Sequence, residues 1–278
     1  MDHINSYLLK QFQEKNLRYQ ENFEWCLGEF SEESVHDLRV SIRRLISLCQ
    51  LLDEFSLNSY SYLLGKYLRK QVKRFSPLRD TQVLMLATFE LAEDFPILYP
   101  YRLILLENEI DYIDLLEKKL AENNPETVEM YNFFIAHSLK YSKSMEIITI
   151  EKLRDFSLGL LGDVTEKFDI AKENEMDTIH KVRLAFKKFR YIMEILTPVF
   201  NLSEDDLKEL KKYQTLMGNI QDNNVFLAML EEFIEKQNTN PAWRFDEIIE
   251  YKFQERSRFI DDFFLNFGSI KEFEAKIT

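Results

Sequence analysis

The sequence predicts an all-α protein, two pseudo-symmetric antiparallel four-helix bundles that arose by internal duplication, and three observations predict it. Apolar residues recur at helical spacing along nearly the whole chain. Only six glycines and six prolines punctuate 278 residues, which favours long helices and short turns over sheets and hairpins. Two blocks of sequence also recur in the same order. With 45% apolar residues there is material for an ample core.

Taken in chain order, helices are expected at about 3–29, 33–55, 58–75, 80–93, 98–122 and 126–146. Further helices are expected at about 148–173, 177–198, 204–217, 222–237 and 242–266. Ser31 and Asp177 suit N-caps because a short side-chain oxygen can accept from the unpaired N–H groups of a first turn. Ser76-Pro77, Pro96, Asn123-Asn124-Pro125, Pro198, Gly218 and Asn240-Pro241 are the expected breaks. Asp80 and Asp222 are read as further N-caps that also pair with nearby Arg or Lys.

The repeat is direct. VHDLRVSIRRLISLCQLL (35–52) aligns without gaps to IHKVRLAFKKFRYIMEIL (179–196), and LRKQVKRFSPLRDTQV (68–83) to LKKYQTLMGNIQDNNV (210–225). An amphipathic helix pair cannot bury its own stripe, so four helices per copy is the natural unit. The first repeat with its connecting helices is assigned to 1–146 and the second to 147–278.

Cys26 and Cys49 are too few for a disulfide framework or a thiolate metal site. The opening residues lack the basic start and apolar run of a signal peptide, and no stretch approaches the ~18 apolar residues that span a bilayer. A soluble, cytoplasmic protein is expected.

Net charge is −12, unlike most nucleic-acid-binding domains, but the charge is segregated. Residues 35–80 hold nine Lys/Arg against four Asp/Glu, and 179–222 hold eight against six. The remainder holds 19 against 38. At 100° per residue, His36, Arg39 and Arg43 fall within about 60° of one another, with Arg44 on the flank. His180, Arg183, Lys187 and Arg190 form a longer stripe flanked by Lys188. The second blocks add Lys66, Arg69, Lys70, Lys73, Arg74 and Arg79 in one copy, and Lys208, Lys211 and Lys212 in the other. Like charges at i+3 and i+4 destabilise a helix by a few tenths of a kcal/mol per pair. One such run is usually a solvated face. Two in register, each headed by a histidine near a helix start, point to an anion track with forked arginine donors suited to phosphate.

H-x-x-R-V-x-x-R-R and H-x-x-R-x-x-x-K-K-x-R-Y, each followed by a leucine-rich helix ending in R-D or Q-D and V, resemble the CHAD domain, the conserved-histidine α-helical domain. LKKYQTLMGNIQDNNV, with Gln214, Gly218 and Asp222 in place, is similar to the family's second block. The resemblance spans nearly the whole chain. It implies two helical bundles with a basic central groove that binds inorganic polyphosphate, in proteins found beside triphosphate-tunnel enzymes or on polyphosphate and polyester storage granules. Carried over residue by residue, it covers His36, Arg39, Arg43, Arg44, Lys70, Lys73 and Arg79, then His180, Arg183, Lys187, Lys188, Arg190, Lys211 and Lys212. Two departures stand out. Ile46 occupies the position of a further Arg, the counterpart of Arg190, and Gln221 replaces the basic partner seen at Arg79.

The function expected is therefore non-catalytic binding of polyphosphate or another extended polyanion, with no cofactor and nucleic acid as a weak competitor at most. One alternative is a granule-associated or scaffold protein acting through protein contacts. Another is a di-metal carboxylate bundle, since Glu33-x-x-His36 and Asp177-x-x-His180 mimic ferritin-like ligand spacing. The cations at i+3 and i+7, Arg39 and Arg43 in one copy and Arg183 and Lys187 in the other, would repel a divalent cation there. Glu272-Phe-Glu274-Ala-Lys276 matches the E-x-E-x-K pattern of tunnel hydrolases, but that motif needs a β-strand and a barrel after it.

Overall fold

The computed structural model describes residues 2–55, 59–121, 125–141, 148–236 and 245–278, and among them every regular element is helical. They are α1 (Asp2–Glu29), α2 (Glu32–Glu54), α3 (Ser59–Leu91), α4 (Tyr99–Leu120), α5 (Pro125–Tyr141), α6 (Ile150–Asp169), α7 (Met176–Phe200), α8 (Glu204–Lys236), α9 (Asp246–Lys271) and α10 (Phe273–Ile277). A 3₁₀ turn at Pro96–Leu98 leads into α4. The expected breaks at Asn123-Asn124 and Asn240-Pro241 lie outside the described residues, as does the expected end of the 126–146 helix.

The chain divides into two compact units, residues 1–88 with 102–149, and residues 89–101 with 150–278. In the first, α1 packs on α2 and on α5. α2 buries Leu38, Ile42, Leu45, Leu48 and Leu52, a stripe at i+3 and i+4 spacing that places the charged residues between on the flanks. Phe30 ends α1 in the left-handed region (φ 48°), its N–H bonded to the Cys26 carbonyl at 2.8 Å. The next residue, Ser31, caps α2 as expected, accepting from the Ser34 N–H at 3.3 Å. Cys26 and Cys49 are buried, and burial pushes their thiols up to about 11 and about 12, so both stay protonated and unreactive at neutral pH.

In the second unit α7 packs between α6 and α8, α9 lies on α8, and α10 closes on α6 and α9. Its core is aromatic. Phe168 stacks on Phe267 with ring centroids 3.5 Å apart, and Tyr213 lies 5.7 Å from Phe263 and 5.1 Å from Phe186. The Tyr213 hydroxyl donates to the Phe263 carbonyl at 3.1 Å, so the buried phenol is satisfied. Residues 89–101 join this unit through Tyr101 on Phe233 and Phe95 on Tyr251.

Several punctuation marks do not end helices. The helices expected at 58–75 and 80–93 are the single α3, and those at 204–217 and 222–237 are the single α8. Pro77 lies inside α3, where it removes one intrahelical bond. The turn before it is held by polar side chains: Ser76 Oγ and Arg39 Nη1 both donate to the Val72 carbonyl at 2.9 Å. Gly218 costs α8 about 1 kcal/mol in propensity, less than the burial of Tyr213, Met217 and Ile220 around it contributes. Pro198 sits in the last turn of α7, and Thr197 Oγ1 donates to the Glu194 carbonyl that the missing N–H would have met, at 3.2 Å. The stop comes later, at Asn201 in the left-handed region (φ 51°). Asp80 and Asp222 accordingly stand mid-helix rather than at caps, and Asp177 lies inside the first turn of α7, with Glu175 at the cap position.

Candidate polyanion-binding site

Each basic stripe begins one turn into its helix, because His36 is the fifth residue of α2 and His180 the fifth of α7. What fixes each ring is a side chain from the following long helix. In the first unit Arg79 of α3 reaches back to α2. Its Nη2 donates to His36 Nδ1 at 3.0 Å, and its Nη1 donates to the Glu32 carbonyl at 3.3 Å and pairs with the Glu32 carboxylate. Arginine can only donate, so the His36 proton resides on Nε2, the ring's remaining polar atom. Burial, and then the Arg79 guanidinium, hold His36 below the usual histidine range, and the neutral ring is the form this geometry requires.

The second unit repeats the arrangement with a different partner. His180 Nδ1 donates to Gln221 Oε1 of α8 at 2.7 Å. Beside it is a cavity of about 210 Å³ lined by His180, Arg183, Gln221 and Asn224 with Met176, Asp177 and an apolar floor. Gln221 is the residue that departs from the Arg79 pattern, and the geometry gives it the same task of orienting the histidine.

The arginines of the stripes do not all face outward. Arg39 is 6% exposed, with Nη1 donating to the Val72 carbonyl at 2.9 Å and to Ser76 Oγ at 3.0 Å. Burial, and then Arg43, pull Arg39 down to about 10, so it remains a cation inside the unit with Asp80 acting in the opposite sense. Arg190 is 9% exposed, paired with Glu194 and set 5.4 Å over the Tyr191 ring. The extra arginine of the second stripe is thus engaged within its own helix. Arg43 and Arg183 are half-buried and Arg44 is exposed. Lys187 and Lys188 are half-buried too, Lys188 lying 5.9 Å over Phe156.

The lysines of the second blocks lie elsewhere on their helices. At 100° per residue, Lys66, Lys70 and Lys73 stand about 120–180° around α3 from Arg79, and all three are exposed. Arg69, half-buried, is nearer at about 80°. Lys208, Lys211 and Lys212 line a separate cavity of about 780 Å³ between α8 and α9; Lys208 and Lys212 stand about 140–180° around α8 from Gln221, and Lys211 at about 80°. Lys208 also pairs with exposed Asp205 at 2.9 Å. Glu32, Asn224 and Arg256 were not singled out by sequence. Arg256 of α9, which donates to Asn224 Oδ1 at 2.9 Å, lies outside the duplicated blocks, so no stripe marks it.

Among the described residues no three His, Cys, Asp or Glu side chains converge on a point that could hold a metal ion. The Glu272–Lys276 motif caps and forms the start of α10, with no strand, and its lysine pairs with Asp206. No helix among the described residues is long and apolar enough to cross a membrane.

A family model described as the CHAD domain matches residues 11–128 and 148–231. The fold is similar to the solved structure of the CHAD domain from the plant Ricinus communis, with TM-score 0.62 and 17% identity over 98% of this chain and 91% of that one. It is also similar to PptA from Streptomyces chartreusis, with TM-score 0.63 and 12% identity over 98% of each chain. A search of curated proteins gave no match. At these identities the structural likeness speaks for the fold alone.

Proposed function

The chain belongs to the CHAD domain family, a family linked to polyphosphate binding in general, and from that premise we propose that it binds inorganic polyphosphate on basic faces built twice by an internal duplication, one in each unit. The observation that carries this reading is the matched pair of histidines. Each is locked through Nδ1 by the equivalent position of the next long helix, Arg79 or Gln221, and each heads a row of basic side chains. A structural histidine needs no such row, and a solvated basic face needs no oriented imidazole. In the first unit His36, Arg43, Arg44 and Arg79 are the proposed phosphate contacts, with Arg39 as a positioning residue beneath them. In the second, His180, Arg183, Lys187 and Lys188 take those roles. Arg69, Lys66, Lys70, Lys73, Lys208, Lys211 and Lys212 contribute charge around them, and Arg190 buttresses α7.

The reading involves no bond making, and nothing in the face reads a nucleobase: phosphate oxygens are met by guanidinium, ammonium and imidazole donors. Binding should therefore weaken steeply with salt and be indifferent to base sequence. The test is a titration of the full chain with long-chain polyphosphate, tripolyphosphate and RNA at two salt concentrations, repeated with Arg43→Glu/Lys187→Glu. Polyphosphate should bind tightest, tripolyphosphate weaker, and the double variant should lose at least about tenfold at unchanged helicity. Equal polyphosphate binding by the double variant refutes the proposal.

A further inference from the structure

α4 carries two seams at helical spacing, one turned inward and one that, among the described residues, stands largely exposed with Ile113 half-buried. Residues 102–120 of this helix belong to the first unit. Leu105, Glu109, Tyr112 and Leu116, spaced four, three and four apart, form the seam turned inward: Leu105 and Leu116 are buried, and Glu109 Oε1 accepts from Gln82 of α3 at 3.0 Å. About 100° around the helix runs a second seam, Leu103, Leu106, Ile110 and Ile113, spaced three, four and three apart. Leu103, Leu106 and Ile110 are 64%, 44% and 62% exposed.

A lone exposed leucine needs no explanation, since much of any protein surface is apolar. Four aliphatic residues in the 3–4–3 spacing of a coiled-coil seam are a different matter, because that pattern presents one continuous ridge to a partner helix. The flanking charge selects the partner. Glu107 and Asp114 occupy the positions beside the seam, with Asp111 just beyond, and all three are exposed. Packed antiparallel, a second copy of α4 would set Glu107 and Asp114 acid against acid; packed parallel, Glu107 would meet Arg102 but Asp114 would meet Glu109, and an anionic bilayer would be repelled by the same acids. Lys or Arg flanking the partner's own seam would pair with them. We propose that the Leu103–Leu106–Ile110–Ile113 seam docks an amphipathic helix of another protein whose apolar ridge is flanked by basic residues. The ridge is about 15 Å long, so the contact is small and the complex a transient one.

The probe is a labelled peptide of roughly 28 residues with Leu at the seam positions and Lys beside them. It is compared by fluorescence anisotropy with a Glu-flanked analogue and with a scrambled peptide of the same composition, which controls for the acidity of the chain. Sedimentation velocity on the protein alone reports self-association. The Lys-flanked peptide should bind the full chain at least about tenfold tighter than either control. Leu106→Ser/Ile110→Ser should abolish that preference without lowering the melting temperature, and Glu107→Lys/Asp114→Lys should transfer it to the Glu-flanked peptide. The proposal is overturned if no peptide binds, if the scrambled peptide binds equally, if both double variants retain the parent's preference, or if the parent forms a dimer that the serine variant dissolves.

Discussion

Arg39→Met separates an arginine that builds the site from the arginines that meet the ligand. Arg39 is 6% exposed and its guanidinium donates twice, to the Val72 carbonyl at 2.9 Å and to Ser76 Oγ at 3.0 Å, within the turn that precedes Pro77. Hydrogen bonds from a charged donor contribute about 1.5–3 kcal/mol each. Methionine fills similar volume and relieves the burial of a cation, the same cost that pulls Arg39 down to about 10. That relief offsets part of the loss, and Ser76 Oγ still covers the Val72 carbonyl, leaving a net destabilisation of about 1–3 kcal/mol. For a chain of this size each kcal/mol lowers the melting temperature by about 2–4 °C, so a fall of about 2–12 °C is expected. Arg43→Met is the comparison. Arg43 is half-buried and repels Arg39, so its loss should move stability by no more than about 0.5 kcal/mol. It should instead remove one phosphate contact and flatten the dependence of log affinity on log salt by roughly 0.7–0.9. Thermal melts and polyphosphate titrations across salt, run on both variants, give the two readouts. If Arg39→Met melts with the parent and loses as much salt dependence as Arg43→Met, the inward placement of Arg39 is wrong.

Three further outcomes are expected. His36 is held below its unfolded value of about 6.5, so on acidification the unfolded chain takes up the proton first. The stability this confers is complete above about pH 6.5 and is lost as pH falls towards the folded value. Denaturation midpoints between pH 7.5 and 5.5 should therefore decline less steeply in His36→Gln than in the parent, and parallel declines would contradict the burial of His36 beside Arg79. Gln221→Arg should recreate the first unit's geometry in the second, donating to His180 Nδ1 and steepening the salt dependence of polyphosphate binding by roughly 0.7–0.9. Phe263→Ala removes a fully buried ring that contacts Phe168, Phe264 and Tyr213, at a cost of about 3–5 kcal/mol readable from urea midpoints.

Helix existence, the Ser31 cap and the position of both histidines were legible in the sequence because each is a local property. A 3.6-residue apolar period buries one face whatever it packs on, and a serine oxygen caps a turn using only its neighbours. Whether Pro77 and Gly218 end a helix is not local. Their costs of about 1–3 kcal/mol are set against burial on both sides of the break, and that burial depends on partners distant in sequence. The same holds for the charges. Arg39 and Arg43 differ by only about 40° on the helix, yet α3 covers the first and leaves the second half open to solvent. Lys208 and Lys212 read as companions of His180 until they are seen to line the cavity between α8 and α9, away from Gln221. Sequence determined that this protein has helices, a repeated basic pattern and two histidines at matched places. Only the packing of helix on helix decided which of those cations face the solvent, since a side chain's environment belongs to its neighbours in space.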